Sequence, residues 1–485
     1  MIRYAKWLPD RYALNAPDVA GEASGVLPGP ASYLPWPGLA TFSLALASAC
    51  RGAFLARKTD GGFTLFAGTQ TGLYKYIGAG SAWTDVSRTV GGAYNVPNDQ
   101  QWSFTQFGDY LIACNANDAP QYIAITAGTN FAVLTNAPTA TYTQTVGDHL
   151  WFGNISSYPN RVMWSAYNDI TGWTVGLNDC DYQDFPDGGF VVGLTSLEIG
   201  LVFQRGCIRR FAKTNDRSVY AFALAEAGRG LLAPASLATI GQQSFFLSED
   251  GFYVTNGVDS APIGVDQVDK WFQAEVNYDR VYSVIGAADP VRARVFFLFP
   301  STSNDSVLLD RLLCYDLATQ SWTHTSDITA SYIVSAATGG YTLDGLDALG
   351  YDLDSLPFSL DARFLDGGAP FLAAFNSAFK LCFFAGSNLA ARVETADVQL
   401  VPTRRAFVQG VIPEGDSTAI TINVGRKERA QDSLSYGGAV AINSQGFSPQ
   451  RASARFHRFR ADIAAGESWN HIVGVEPIYV DDGER

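Results

Sequence analysis

FGDYLIACN, at residues 107–115, recurs as VGDHLWFGN at residues 146–154. The two Gly-Asp pairs are 39 residues apart. Each copy has the pattern of a tight turn followed by an apolar strand, because glycine supplies the positive φ that short hairpin turns need. A repeat of this length matches one four-stranded blade and therefore predicts a β-propeller.

The composition favours strands and turns over helices. The chain has 485 residues, with 47 Gly, 31 Phe, 22 Tyr and 10 Trp. Charged residues make up 16%, against an average of about 25%. Two explanations of this low charge stay open: other subunits cover the surface, since interface cores are depleted of charge, or the surface is rich in uncharged Thr, Ser and Asn.

The net charge of −14 bears on possible partners. Binding to phosphates requires clustered Lys and Arg, so we expect no general affinity for nucleic acid. An acidic wall repels DNA, which is useful in a conduit and of no use in a protein that reads sequence.

The sequence predicts an all-β chain in four parts. Residues 1–45 are rich in proline and form an irregular N-terminal arm. Residues 46–338 form the propeller body, with about six to seven blade-like units. Residues 339–369 form a Leu-Asp linker, and residues 370–485 form a smaller C-terminal β domain that carries basic segments.

One segment has helical spacing. Val265, Val268, Phe272 and Val276 would share one face of a helix, so the sequence predicts a helix from Val265 to Val276 between two blades.

The linker admits two interpretations. Asp follows Leu five times within residues 343–366. Clustered aspartates suit a calcium ion, but the spacing is not that of an EF-hand. We favour an ordered linker whose leucines contact a neighbouring surface.

No pattern of catalytic or metal-binding residues stands out. The four histidines, His149, His324, His457 and His471, do not have the spacing of metal ligands. His149 occupies the position of Tyr110 in the other copy of the repeat, which indicates a structural role. No nucleophile elbow or phosphate loop occurs. The six cysteines contain no CxxC pair, and we expect them to be reduced. The sequence thus predicts no catalytic site, no cofactor and no metal.

A glycosidase-type propeller is the alternative. The stretch from Ser248 to Tyr253 begins like the Asp-box of sialidase blades, but its glycine comes one position early and no Trp follows. Paired carboxylates, which glycosidases use, could arise among Asp181, Asp184 and Asp187.

Basic residues concentrate in the C-terminal part, at positions 404–429 and 451–460. In an acidic chain, this asymmetry favours contact with an acidic partner or with phosphate. The predicted interface residues are Arg451, Arg455, His457, Arg458 and Arg460. The alternative is a strand pair with ordinary solvated arginines.

Several phrases together resemble one family. WLPD at residues 7–10 and YLP at 33–35 resemble the start of short-tailed bacteriophage tail proteins. PNRVMWSAYND at 159–169, followed by Gly172-Trp173, is similar to a signature of such proteins. DSLPFSLD at 354–361 and RFHRFR at 455–460, followed by Trp469 and Gly474, resemble phage structural proteins. The family is the tail nozzle, or packaged-DNA stabilisation protein, of podoviruses.

The resemblance implies a structural virion protein that is assembled in the host cytoplasm. It implies a homo-hexameric ring below the portal and its adaptor, with tail fibres or spikes as further neighbours. DNA would pass through the ring without sequence readout. Independently of the resemblance, no apolar stretch reaches the roughly 18 residues that a membrane helix needs, so we expect no membrane span. Within this frame Arg161 is expected to stabilise a blade, by stacking on Trp164 or Trp173 or by pairing with Asp169.

Two other classes of function compete with this interpretation. One is a propeller tail protein that binds glycans or degrades polysaccharides, which predicts a pocket with two carboxylates or stacked Trp residues at one end of the propeller. The other is a kelch-like adaptor, which predicts a monomer in solution.

Overall fold

The computed structural model describes residues 1–11, 19–77, 82–196, 199–214, 218–336 and 371–483. Its first part is not the irregular arm that the sequence predicts, because it contains six strands. These are β1 (Ile2–Arg3), β2 (Lys6–Trp7), β3 (Val19–Ser24), β4 (Val26–Gly29), β5 (Ser32–Pro35) and β6 (Pro37–Ala45). β4 and β6 lie at sheet edges, where proline is tolerated because its missing N–H leaves no hydrogen bond unmade.

The first three blades follow in chain order, each a sheet of four antiparallel strands. Blade 1 has β7 (Ala53–Arg57), β8 (Phe63–Gly68), β9 (Leu73–Tyr76) and β10 (Trp83–Asp85). Blade 2 has β11 (Ser103–Phe107), β12 (Tyr110–Cys114), β13 (Gln121–Ala124) and β14 (Ala132–Val133). Blade 3 has β15 (Ala140–Val146), β16 (His149–Ile155), β17 (Tyr158–Trp164) and β18 (Asp181–Asp184).

Blades 4 and 5 continue the same order. Blade 4 has β19 (Val191–Thr195), β20 (Gly200–Gln204), β21 (Cys207–Lys213) and β22 (Tyr220–Ala227). Blade 5 has β23 (Ala238–Ile240), β24 (Gln243–Ser248), β25 (Gly251–Thr255) and β26 (Ser260–Pro262). A 3₁₀ segment precedes blade 5, at Pro234–Ser236, and another precedes blade 6, at Tyr278–Ser283.

Helix α1 (Asp269–Glu275) lies between blades 5 and 6 and is shorter than predicted. Its start is set by Asp10, whose carboxylate accepts hydrogen bonds from the backbone N–H groups of Lys270 and Trp271 at 2.8 and 2.9 Å. Such a contact satisfies N–H groups that have no partner inside the helix. Residues 265–268 therefore form a turn.

Blades 6 and 7 complete the propeller. Blade 6 has β27 (Ile285–Asp289), β28 (Arg294–Phe299), β29 (Arg311–Asp316) and β30 (Ser321–Thr325). Blade 7 has β31 (Ala330–Ala336), β32 (Phe371–Asn376), β33 (Lys380–Asn388) and, as its outermost strand, β6. Six separate four-stranded sheets and the β27–β30 sheet make seven blades, which confirms the predicted propeller.

The ring closes between blades 7 and 1. The backbone N–H of Cys50 donates to Ser331 Oγ at 3.2 Å. Blade 7 takes strands from the predicted arm and from the predicted C-terminal domain, so the propeller is not confined to residues 46–338. The reason is that strand pairing in this blade is non-local. The predicted linker at 339–369 lies outside the described residues.

The two Gly-Asp repeats occupy matching places in adjacent blades. They form the turns between β11 and β12 and between β15 and β16. Gly108 and Gly147 have φ of +58° and +55°, a region that glycine reaches without steric cost.

Both ends of the described chain build a second module, a two-sheet β-sandwich. Its remaining strands are β34 (Ala391–Thr395), β35 (Ala406–Gly415), β36 (Ile420–Lys427), β37 (Ser435–Tyr436), β38 (Val440–Ala441), β39 (Ser448–Ala454), β40 (Phe456–Ile463) and β41 (Ile472–Asp481). One sheet has the order β39-β35-β41-β5-β4, with β1 also on β41. The other contains β2, β3, β34, β40 and β36, with β37 and β38 on β36. Residues of both sheets share one apolar core.

The sandwich and the propeller are joined by strand pairing. β2 and β3 pair with β30, the outer strand of blade 6. Trp7 lies directly opposite Trp322, and both side chains are fully buried. Blade 6 and half of the sandwich thus form one continuous sheet of 11 strands. Within the described residues, no helix is long and apolar enough to cross a membrane.

Candidate interface on the C-terminal module

The predicted interface residues divide into exposed and buried members. Arg451 lies on β39 and Arg455 directly follows that strand, and both side chains are exposed. Arg455 donates to the backbone oxygen of Thr403 at 3.0 Å. The other three residues lie on β40, whose side chains alternate between the core and the outer face of its sheet.

Arg458 and Arg460 are used inside the chain. Both point toward Glu394, and Arg458 also donates from Nε to Asp397 Oδ1 at 2.8 Å. Lys427 forms a second ion pair with Asp397. Glu394 and Asp397 are both at most 5% exposed, so these arginines serve as counter-charges for buried carboxylates.

A tyrosine completes this ion-pair network. Tyr436 donates its hydroxyl hydrogen to Glu394 Oε2 at 2.9 Å, and the Arg460 guanidinium lies 3.9 Å from the centre of its ring. Burial acts to lower the pKa of Arg458, but the negative charge of Asp397 outweighs it and the pKa is raised. The network stabilises the second sandwich sheet, and its arginines already have counter-charges within the chain.

His457 is buried and cannot contact another molecule in this conformation. Its Nε2 lies 3.4 Å from the backbone oxygen of Ala452. Burial lowers the pKa of this imidazole to about 4. Of the predicted interface residues, Arg451 and Arg455 are exposed, Arg458 and Arg460 are partly exposed, and strand alternation turns His457 into the core.

A basic groove lies beside Arg451. It has a volume of about 620 Å³ and includes Arg426, Arg451, Gln409 and Gln450 in its lining. Neither arginine has a carboxylate within ion-pair distance in the described part of the chain. In the sequence, Arg426 stands out only as part of a basic stretch. The missed signal is the alternation along β36, where Arg426 continues the face of Ile422 and Val424 past the end of the core.

A second cavity, of about 470 Å³, surrounds the propeller axis. Inner strands β11, β15, β19 and β31 all contribute to its lining. Exposed aromatic rings of Phe190 and Tyr282 line it together with Asn98 and Gln100. The Arg205 guanidinium donates to the Tyr282 hydroxyl at 3.0 Å. No sequence pattern indicates this cavity, because its lining residues come from segments that are far apart in the chain, from Asn98 to Tyr332.

An ion pair near one side of this cavity joins distant blades. Arg280, which precedes blade 6, donates from Nε and Nη2 to Asp99 Oδ1 at 3.0 and 2.7 Å. Asp99 precedes blade 2. Of the two carboxylates that line the cavity, Asp99 is therefore held by a cation, while Asp279 is exposed.

Asp184 and Asp187, two of the three aspartates considered as a carboxylate pair, each have an arginine partner. Asp184 accepts two hydrogen bonds from Arg161 at 2.6 and 2.8 Å, and Asp187 pairs with Arg209. Asp250, in the stretch that begins like an Asp-box, accepts from the Tyr253 hydroxyl at 2.7 Å. Each carboxylate thus has a local structural partner.

The predicted contacts of Arg161 are wrong. Its partners are Asp184, directly opposite on β18, and the rings of Tyr158 and Tyr182, at 3.9 and 3.7 Å. Trp164 is three residues further along the strand and so lies on the opposite face.

The remaining candidate residues, a histidine and the six cysteines, are buried. His149 is buried, with Nδ1 2.8 Å from the backbone oxygen of Ser165. All six cysteines are buried and free of disulfides. Within the described ranges, no group of three His, Cys, Asp or Glu side chains could hold a metal ion. The predicted calcium alternative falls outside those ranges.

Comparison with known proteins gives structural similarity only. No family model and no curated protein matches the sequence. The β-propeller domain of Cps50 (Swd1) from Myceliophteria thermophila is 9% identical, with a TM-score of 0.41, over 71% of this chain and 98% of that one. A computationally designed protein, Ika8, is 10% identical, with a TM-score of 0.37, over 71% and 99% of the two chains. A chain of the Mitotic Checkpoint Complex is 9% identical, with a TM-score of 0.36, over 74% and 98%. At these TM-scores the propeller assignment rests on the seven blades themselves.

Proposed function

We propose that this chain is a structural protein of a short-tailed phage tail. It forms a nozzle, as a homo-hexameric ring that retains packaged DNA and lets it pass during ejection. It acts by assembly and shape, without bond-making chemistry. The observation that carries the proposal, beside the sequence resemblance, is the 11-stranded sheet that joins blade 6 to the sandwich. Shared strands hold the two modules as one block, as the wall of a conduit requires.

The charge distribution supports the same function. The chain carries a net charge of −14, so a wall built from it repels DNA phosphates and does not retain them by adhesion. Several cations are already paired internally, including Arg458 and Arg460. This pairing reduces the positive charge available for phosphate contacts, which dominate nucleic-acid affinity.

The proposed partners follow from this position in the virion. The ring lies below the portal and adaptor proteins and carries tail fibres or spikes. Arg451 and Arg455, the exposed members of the predicted set, contact an acidic face of an adaptor or of a neighbouring subunit.

The test is electron microscopy of the intact particle and of the full-length purified chain. We expect a six-fold ring with an open axis, and DNA density along that axis in the particle. A stoichiometry that is not a multiple of six contradicts the proposal. So does a particle that lacks this protein but retains its genome and infects.

A second candidate function is glycan binding in the central cavity. The exposed rings of Phe190 and Tyr282, beside the amides of Asn98 and Gln100, favour it. Aromatic faces cover the apolar side of a sugar ring, and amides donate to and accept from hydroxyls.

Calorimetric titration of the full chain with fragments of host surface polysaccharide tests this candidate. Phe190→Ala and Tyr282→Ala should each weaken binding, whereas Tyr110→Ala, an exposed tyrosine at a blade 2 turn, should not. Absence of binding by the wild-type chain rules the candidate out for those glycans.

A further inference from the structure

The first sandwich sheet ends in two strand edges of opposite character. At this end of the sheet its order is β39-β35-β41. β41 is paired on its second side only at residues 472, 474 and 475. From Glu476 to Asp481 that side has no strand partner among the described residues. β39 pairs only with β35.

The free part of β41 is apolar and acidic. Ile478, Tyr479 and Val480 are 41%, 41% and 46% exposed. Three consecutive exposed side chains of this size on one strand are a feature of contact surfaces. Glu476 is exposed and has no ion-pair partner in the described ranges. Asp481, which follows the apolar residues, is already paired with Arg404 at 3.0 Å. We call residues 476–480 the acidic edge, after the unpaired carboxylate of Glu476.

The basic groove lies at the β39 side of this sheet, between β35 and β39 and the strands β36 and β38 of the second sandwich sheet. Arg426 and Arg451 line it without a carboxylate partner among the described residues. Guanidinium groups bind carboxylates through paired N–H donors, which makes an acidic strand a suitable ligand.

The acidic edge and the basic groove cannot meet within one chain. β35 lies between β39 and β41, so the two edges are separated by about 10 Å, which is two strand spacings, and they face away from each other. In two copies they can meet head to tail. A head-to-tail contact leaves one free surface at each end of the pair, and repetition of the contact gives a ring when the rotation between copies closes.

We propose that the basic groove of one copy binds the acidic edge of a second copy of this chain. Arg426 and Arg451 contact Glu476, and Ile478, Tyr479 and Val480 are covered in the same contact. This inference rests on the proposed ring, for which it supplies the subunit interface. Arg455, which does not line the groove, is left for the adaptor.

Charge reversal tests the contact on the full chain, with native mass spectrometry and light scattering at low ionic strength. Arg451→Glu and Glu476→Arg should each lower the apparent association constant by about tenfold or more, because like charges then face each other. The double variant Arg451→Glu/Glu476→Arg should recover association. Arg429→Glu and Glu249→Arg, reversals at exposed positions outside the two surfaces, serve as matched controls and should associate like the wild type.

The outcomes separate the inference from the proposed function. If the wild-type chain forms rings and both single reversals assemble normally, or the double variant does not recover, the interface is wrong while the ring stands. If the wild-type chain stays monomeric at every concentration tested, the ring and its interface both fail. Thermal unfolding of each variant shows whether a loss of association reflects misfolding.

Discussion

Arg294 and Asp316 form an ion pair inside blade 6, with 2.8 Å between Nε and Oδ2. Both side chains are less than 10% exposed. Arg294 also donates from Nη2 to the backbone oxygen of Pro28 at 2.7 Å, and Asp316 accepts from Thr319. The pair therefore ties the turn at the end of β29 to the neighbouring sandwich module.

Removing one partner of this pair should be costly. Asp316→Ala leaves a buried guanidinium without a counter-charge, and we expect a loss of about 3–5 kcal/mol in the free energy of unfolding. Urea unfolding measures it. Arg392→Ala, which removes an exposed pair with Asp462, is the control and should cost at most about 1 kcal/mol. Equal losses in the two variants would show that burial is not the deciding factor.

The stability of the chain should depend on pH through Asp269. Burial raises the pKa of this carboxyl to about 7, and Oδ2 has no hydrogen-bond partner among the described residues. Because the pKa of Asp269 is higher in the folded than in the unfolded chain, its protonation stabilises the fold. This contribution to the free energy of unfolding is complete below the pKa of the unfolded chain, about 3.9. It is lost as pH rises toward 7.

Asp269→Asn should remove that part of the pH dependence. The variant should gain stability relative to the wild type as pH rises from 4 toward 7 and above, as measured by the difference in Tm at several pH values. Asp259→Asn, at an exposed position of the same blade, should leave the difference flat. A parallel pH profile for wild type and Asp269→Asn would contradict the assignment.

The two repeat glycines should resist substitution because of their backbone conformation. Nothing lies within 4 Å of a Cβ placed at Gly108 or Gly147, so steric crowding does not contribute. Their positive φ should make each Gly→Ala change cost about 1–2 kcal/mol. Gly438→Ala is a matched control, since that glycine has equal space but no positive φ. Urea midpoints compare the three, and a neutral Gly108→Ala would disprove the conformational argument.

The propeller and the sandwich should unfold together. Trp7 and Trp322 face each other across the strand pair that joins them. Trp7→Ala should lower the free energy of unfolding by about 3–5 kcal/mol and split the calorimetric transition in two. Trp173→Ala in blade 3 removes a buried ring of the same size. It should lower stability while the transition stays single. A single transition in Trp7→Ala would mean that other contacts suffice to couple the modules.

The sequence predicts the blades because their determinants are local. A Gly-Asp turn and the strand after it occupy fewer than ten residues, and β29 and β30 pair across one short turn from Tyr315 to Trp322. The N-terminal strands cannot be predicted from local patterns in this way. β2 and β6 find partners more than 300 residues away, at β30 and β33, and a proline-rich segment has no local strand signal.

The candidate site shows the same limit. The basic segment is visible in the sequence, but charge alone does not reveal whether an arginine is already paired. Arg458 and Arg460 find their carboxylates 61 and 66 residues upstream. Strand alternation would have separated exposed Arg451 from buried His457, had the strand boundaries been known.

The closure of blade 7 also sets an order of events during synthesis. Ala45 pairs with Lys380, so β6 leaves the ribosome long before its partner exists. At about 5–20 residues per second, the interval is on the order of tens of seconds. During that time β6 is an unpaired strand with exposed backbone groups, and the ring of blades remains open. The propeller becomes a closed body only after nearly four-fifths of the chain has been made, and until then premature pairing with another nascent chain competes with correct folding.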